Sequence, residues 1–172
     1  MENKSKTIAI AAVSTALNVA FFSAAVFIGF LSATFSLLCV FATILPFAAG
    51  FKRAGWLCFA ASAALISVIT GIVNALPFIF IFGGFSAFLG FACSVNINRI
   101  LFWIIVAVWI NAVTAVLYFA FYNAFFAGTR LADAHYALIT LIACLGGAVY
   151  TVAVRICFSY LKTLVEKYYL KR

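Results

Sequence analysis

A chain of 172 residues has the length of one domain, but 69% hydrophobic residues, 8% charged residues and a mean hydropathy of +1.27 lie outside soluble globular composition. That composition excludes a water-soluble fold, and apolar runs that are continuous instead of alternating exclude a closed barrel, leaving helices that satisfy their own backbone hydrogen bonds in hydrocarbon. The net charge of +8 does not point to nucleic acid, because the basic residues lie between and beyond the apolar runs, where they orient a chain in a bilayer.

About 20 residues cross the hydrocarbon, and charges, glycines and prolines divide the chain into six predicted spans: 7–28, 31–49, 54–73, 75–94, 100–127 and 134–160. The fold class is therefore all-α, a polytopic integral membrane protein with one six-helix transmembrane domain over 1–172. Lys4 and Lys6 before the first run give it the outline of a secretory signal, but no hydrophilic mature region follows, so it reads as a retained span. Within it Ala12, Ala16, Ala20 and Ala24 recur every four residues. Such a small-residue strip lets a second helix approach closely, either a neighbouring span of this chain or a helix of another membrane protein.

The second span closes with Pro46 and Gly50 before Lys52 and Arg53. The third carries Ser67, Thr70 and Asn74 along one helical face. Proline and phenylalanine followed by glycine occur in PFAAGF, from Pro46, and again in PFIFIFGGF, from Pro77, a pair too short to establish an inverted repeat. The segment NINR separates the fourth and fifth spans, and the fifth bears the stripe Asn111, Thr114, Tyr118 and Tyr122. GTRLADAHY then gathers Arg130, Asp133 and His135, and leads into a sixth span whose face holds Tyr136, Thr140 and Cys144. The tail LKTLVEKYYLKR lies beyond it.

On alternate sides of these spans, ten basic residues fall with the termini and only Arg130 falls opposite. The positive-inside rule places both termini in the cytoplasm of a multi-pass cell-membrane protein, and makes GTRLADAHY an external loop. That loop is a hydrated turn in which Arg130 and Asp133 offset each other, or a lid in which they meet a charged ligand and His135 responds to pH.

The residues offer no enzyme chemistry: no paired carboxylates, no nucleophile motif, no nucleotide loop and no second ligand beside His135. No metal or cofactor is expected, and the five cysteines, without metal or redox spacing, read as small packing residues. No carboxylate falls inside a span, so proton coupling through a buried acid is not expected and any energy source is another chain. The polar stripes on Asn74, Asn111, Thr114, Tyr118, Tyr122, Tyr136 and Thr140 occupy outer halves of the spans. They line an outward-facing pocket for a small solute, or they are hydrogen-bonding glue between helices.

The first helix KTIAIAAVSTALNVAFF with its spaced alanines, the turn in LPFAAGFKRAGWLCFAASAALISVITG, six spans in a short chain and cytoplasmic termini together resemble the substrate-binding S components of energy-coupling factor (ECF) vitamin transporters. The resemblance implies an S-component-like bundle that captures a vitamin or similar micronutrient from outside and depends on a transmembrane coupling protein driven by two ATPases. It also implies that Ala12, Ala16 and Ala20 form the docking helix and that solute binds in the external loops and outer helix halves, where Arg130, Asp133, His135 and the polar stripes lie. The alternative is a non-transport membrane scaffold of the cell-wall elongation, rod-shape-determining type, similar in size, spans and basic termini. There the alanine strip meets partner helices and the polar stripes are glue.

Overall fold

The computed structural model describes residues 2–95, 97–120 and 136–168. Every regular element among them is helical, and six helical stretches are long and apolar enough to cross a membrane: Lys4–Phe27, Gly29–Ala48, Lys52–Thr70, Ile72–Val95, Ile100–Phe119 and Tyr136–Lys167. The helices are α1 (Glu2–Phe27), α2 (Ser32–Ala48), α3 (Lys52–Thr70), α4 (Ile72–Pro77), α5 (Gly84–Val95), α6 (Arg99–Ala120) and α7 (Tyr136–Tyr168). The chain forms two compact units, one of Met1–Asn96 with Val154–Arg172 and the other of Ile97–Ala153.

In the first unit α1 packs on both α2 and α3, and α2 also packs on α5. A single 3₁₀ turn, Gly29–Leu31, joins α1 to α2, a connection too short for anything but neighbouring helices. The end of α2 is set by Gly50 at φ 84°: the Gly50 N–H donates to the Phe47 carbonyl at 3.0 Å and the Phe51 N–H to the Pro46 carbonyl at 2.9 Å. These two bonds make a Schellman motif, which satisfies carbonyls a helix end leaves open and fixes Phe51 just before α3.

The fourth span is not one regular helix. It breaks from α3 at Gly71, which also takes φ 84°, a backbone conformation costly for any residue with a Cβ. The expected boundary near Asn74 is therefore displaced, and Asn74 sits inside α4 with its amide donating to the Thr70 carbonyl at 2.8 Å. Pro77 closes α4 and a π turn follows over Phe78–Phe82, in which the Gly83 N–H reaches the Phe78 carbonyl at 2.7 Å. A Cβ on Gly84 would collide with the Ile79 carbonyl, so the wide turn requires glycine there.

The two proline–phenylalanine pairs share a packing role that their brevity concealed. Phe47 and Phe78 are both fully buried. Phe47 lies against Gly55 and Gly90, where added Cβ atoms would meet its ring, and Phe78 lies against Gly83. Around them Phe22 meets Phe78 edge-on at 5.3 Å, Phe59 stacks on Phe78 at 6.3 Å, and Trp56 meets Phe47 at 5.9 Å and Phe91 at 6.0 Å. Such ring pairs contribute about 0.5–1.5 kcal/mol each beyond the area they bury.

The last helix corrects the expected end at Tyr160, because α7 continues to Tyr168 through most of the basic tail. The continuous apolar run stops near Tyr160 but helix propensity does not: Leu161, Leu164, Lys162 and Glu166 all favour a helix, and Lys162 and Glu166 pair one turn apart at 4.0 Å. Earlier on this helix, the Arg155 guanidinium lies within hydrogen-bonding reach of the Cys93 thiol on α5. All five cysteines are free, with Cys39 and Cys58 buried and the others half-buried.

Gly55→Ala is expected to destabilise the first unit by about 1–3 kcal/mol, because the Phe47 ring is held between two glycines and has no space to yield. Thermal unfolding in detergent measures this, and Phe47→Leu added to Gly55→Ala should recover part of the loss.

Candidate functional site

The side-chain hydrogen-bond cluster that links three helices in the first unit centres on Asn18, midway along α1. Its Nδ2 donates to Ser62 Oγ at 3.4 Å and, more weakly, to Cys58 Sγ at 3.9 Å, both on α3. Its Oδ1 accepts from Thr43 Oγ1 of α2 at 3.2 Å, and its carbonyl accepts from the Cys39 thiol at 3.7 Å. Asn18, Thr43 and Ser62 have no exposed surface. An amide with both ends paired is the form in which such a group is tolerated away from water, since an unpaired one costs about 1–3 kcal/mol.

The cluster fixes the rotation of α1. Ser14, Asn18 and Phe22, spaced four apart, point into the unit and are buried. Ala12, Ala16 and Ala20 occupy the other side and are exposed, while Ala24 is half-buried. α2 and α3 therefore take the polar face of α1 and leave the three predicted docking alanines uncovered. The sequence carried a signal for this arrangement: Asn18 is the one amide of its span, and Cys58, Ser62 and Ile66 repeat at the same spacing on α3. Attention to ionisable groups and outer halves passes over a neutral amide at mid-span.

The predicted solute-binding residues divide between the units and the undescribed segment. Tyr122, Arg130, Asp133 and His135 lie outside the described residues. Asn74 belongs to the first unit, where it is exposed and bonded to its own helix. Asn111, Thr114, Tyr118, Tyr136 and Thr140 belong to the second, and there α6 and α7 bring the side chains of two of them together. The Tyr118 and Tyr136 rings lie 5.2 Å apart at 54°, with Phe119 5.3 Å from Tyr136. Further along, the Asn111 amide donates to the Ala107 carbonyl at 2.8 Å and reaches Cys144 Sγ on α7 at 3.8 Å.

The threonines behave differently. Thr114 Oγ1 donates to the Ile110 carbonyl at 2.8 Å and Thr140 Oγ1 to the Tyr136 carbonyl at 2.9 Å, each one turn back on its own helix. This back-bonding is the usual way a helical threonine satisfies its hydroxyl proton, and it leaves oxygen lone pairs as the remaining polar capacity. Close contact of the two helices is allowed by Gly147, where a Cβ would run into Ile110.

Asn18→Ala is expected to lower stability by about 2 kcal/mol, because it strands the Thr43 and Ser62 hydroxyls in the interior. Ser14→Ala, which removes a buried hydroxyl with no hydrogen-bond partner among the described residues, should cost less than half of that. Unfolding of both variants in the same detergent measures the difference.

Compared with protein-family models, with curated proteins and with solved structures, the chain has no match, so its functional reading rests on its own residues and geometry.

Proposed function

We propose that the chain is the membrane-embedded, substrate-binding subunit of a micronutrient uptake transporter of the S-component kind, working with a transmembrane coupling protein and two ATPase subunits. In this reading it lies in the cell membrane with both termini in the cytoplasm, and it is not an enzyme. The observation that carries the proposal is the two-sided character of α1: one face is committed to α2 and α3 through Asn18, and the other offers exposed Ala12, Ala16 and Ala20. Close approach of a partner helix to small residues gains van der Waals contact in a solvent where no hydrophobic force acts between helices. For the solute, the paired rings of Tyr118 and Tyr136 offer flat apolar surface, and Asn111 two turns away on α6 offers a polar group, the mixture a small-molecule site uses.

A second reading is favoured by a specific observation. The Asn111 amide reaches across to Cys144 on the neighbouring helix, and the Thr114 and Thr140 hydroxyl protons are used within their own helices instead of being held out for a solute. That arrangement suits a scaffold of the rod-shape-determining type, whose alanine face would bind another structural membrane protein.

Native mass spectrometry of the purified protein separates the two. The transporter reading expects a co-purifying small molecule, lost in Asn111→Ala and Tyr118→Ala while membrane insertion is unchanged, and a coupling protein lost in Ala16→Trp. A partner lost in Ala16→Trp without any bound solute in the parent protein favours the scaffold. Unchanged partner recovery with Ala16→Trp removes the role of the alanine face in both.

A further inference from the structure

Four observations in the first unit converge at the end where α1 begins and α2 turns into α3. Lys4, Thr7, Ile8 and Phe51 line an open recess of about 360 Å³. Its wall is mostly apolar, with Ile8 and Phe51 in it, and Lys4 and Thr7 give it a polar edge, so it suits a molecule with an oily part and a charged end. Phe51 is held in place by the Schellman motif that ends α2. Directly after it, Lys52 and Arg53 stand exposed in the first turn of α3.

Among the described residues, no carboxylate pairs with Lys4, Lys52 or Arg53. The first turn of α3 has no side-chain cap, so the positive end of its dipole adds to two cations already there. Like charge at a helix N-terminus is unfavourable, and an anion bound there reverses the sign of the interaction. Lys4 and Lys52 are also the first residues of two of the stretches long and apolar enough to cross a membrane, the end at which lipid head groups would lie.

We propose that this recess is a binding site for an anionic phospholipid. Its phosphate lies among Lys4, Lys52 and Arg53, and an acyl chain runs along Ile8 and Phe51. A free phosphate would use the cations but not the apolar wall, and a zwitterionic lipid would use the wall but bring no net charge. The site is separate from the alanine face and from the tyrosine pair, and it stands under either functional reading.

The test uses the full chain in detergent with an equal mixture of dioleoyl phosphatidylglycerol and dioleoyl phosphatidylcholine, read by native mass spectrometry. The parent protein should retain phosphatidylglycerol selectively, and Lys4→Gln with Lys52→Gln should reduce that retention at least tenfold, given roughly fivefold per charge. Lys162→Gln, which removes a cation already beside Glu166, should leave retention unchanged. Equal retention of the two lipids by the parent, an equal loss in Lys162→Gln, or full displacement of the lipid by millimolar inorganic phosphate would each overturn the site. A second measurement needs no variant: in nanodiscs, phosphatidylglycerol should protect Lys4 and Lys52 from acetylation relative to phosphatidylcholine, with Lys162 as reference. Equal labelling in the two lipids overturns the proposal.

Discussion

A primary amide buried halfway along a helix long and apolar enough to cross a membrane has no water to fall back on, and the rotation of α1 follows from where Asn18 finds its partners. Thr43 supplies the proton its oxygen accepts and Ser62 the oxygen its nitrogen donates to, one from each neighbouring helix. Neither partner alone would fix the helix about its axis; a donor and an acceptor on two different helices do. Phe22, one turn on, is thereby directed onto Phe78, and the aromatic packing continues through Phe59 to Trp56. The polar bonds are individually small in a membrane, on the order of 0.6–2 kcal/mol, but they decide which face of α1 is spent inside the protein.

What remains for contact with other molecules is then a matter of subtraction. The alanines at 12, 16 and 20 are outward because serine, asparagine and phenylalanine are inward, not because alanine itself prefers lipid. The second unit follows another rule, in which polar side chains mostly answer to their own helix. Its threonines bond back one turn, Asn111 does so as well, and contact between α6 and α7 rests on Gly147 against Ile110 and on tyrosine rings.

The helix count was legible because about 20 apolar residues between charges have one stable form in hydrocarbon. Details that depend on a single backbone angle were not. Gly71 ends α3, yet one glycine in an apolar run is compatible with an uninterrupted helix, and only its φ of 84° reveals the break. The tail beyond Tyr160 was lost for the opposite reason, since hydropathy marks where a membrane ends and not where hydrogen bonding along the chain does. Among the candidate site residues, the pairing of Tyr118 with Tyr136 was foreshadowed by their stripes, whereas the Asn18 cluster joins residues up to 44 positions apart and has no local trace beyond its spacing.

The wide turn at Phe78–Phe82 adds a property of its own. It stores one residue more than an α-helical turn needs, so the stretch from Ile72 to Val95 is slack by one position. Removing a residue there would let the helix wind regularly, and the wide turn would take up the loss, so that the residues after it keep their faces. Gly90 would stay against the Phe47 ring. The stretch from Ile72 to Val95 is therefore tolerant of length at this one turn: a deletion there would still present the same side of α5 to α2.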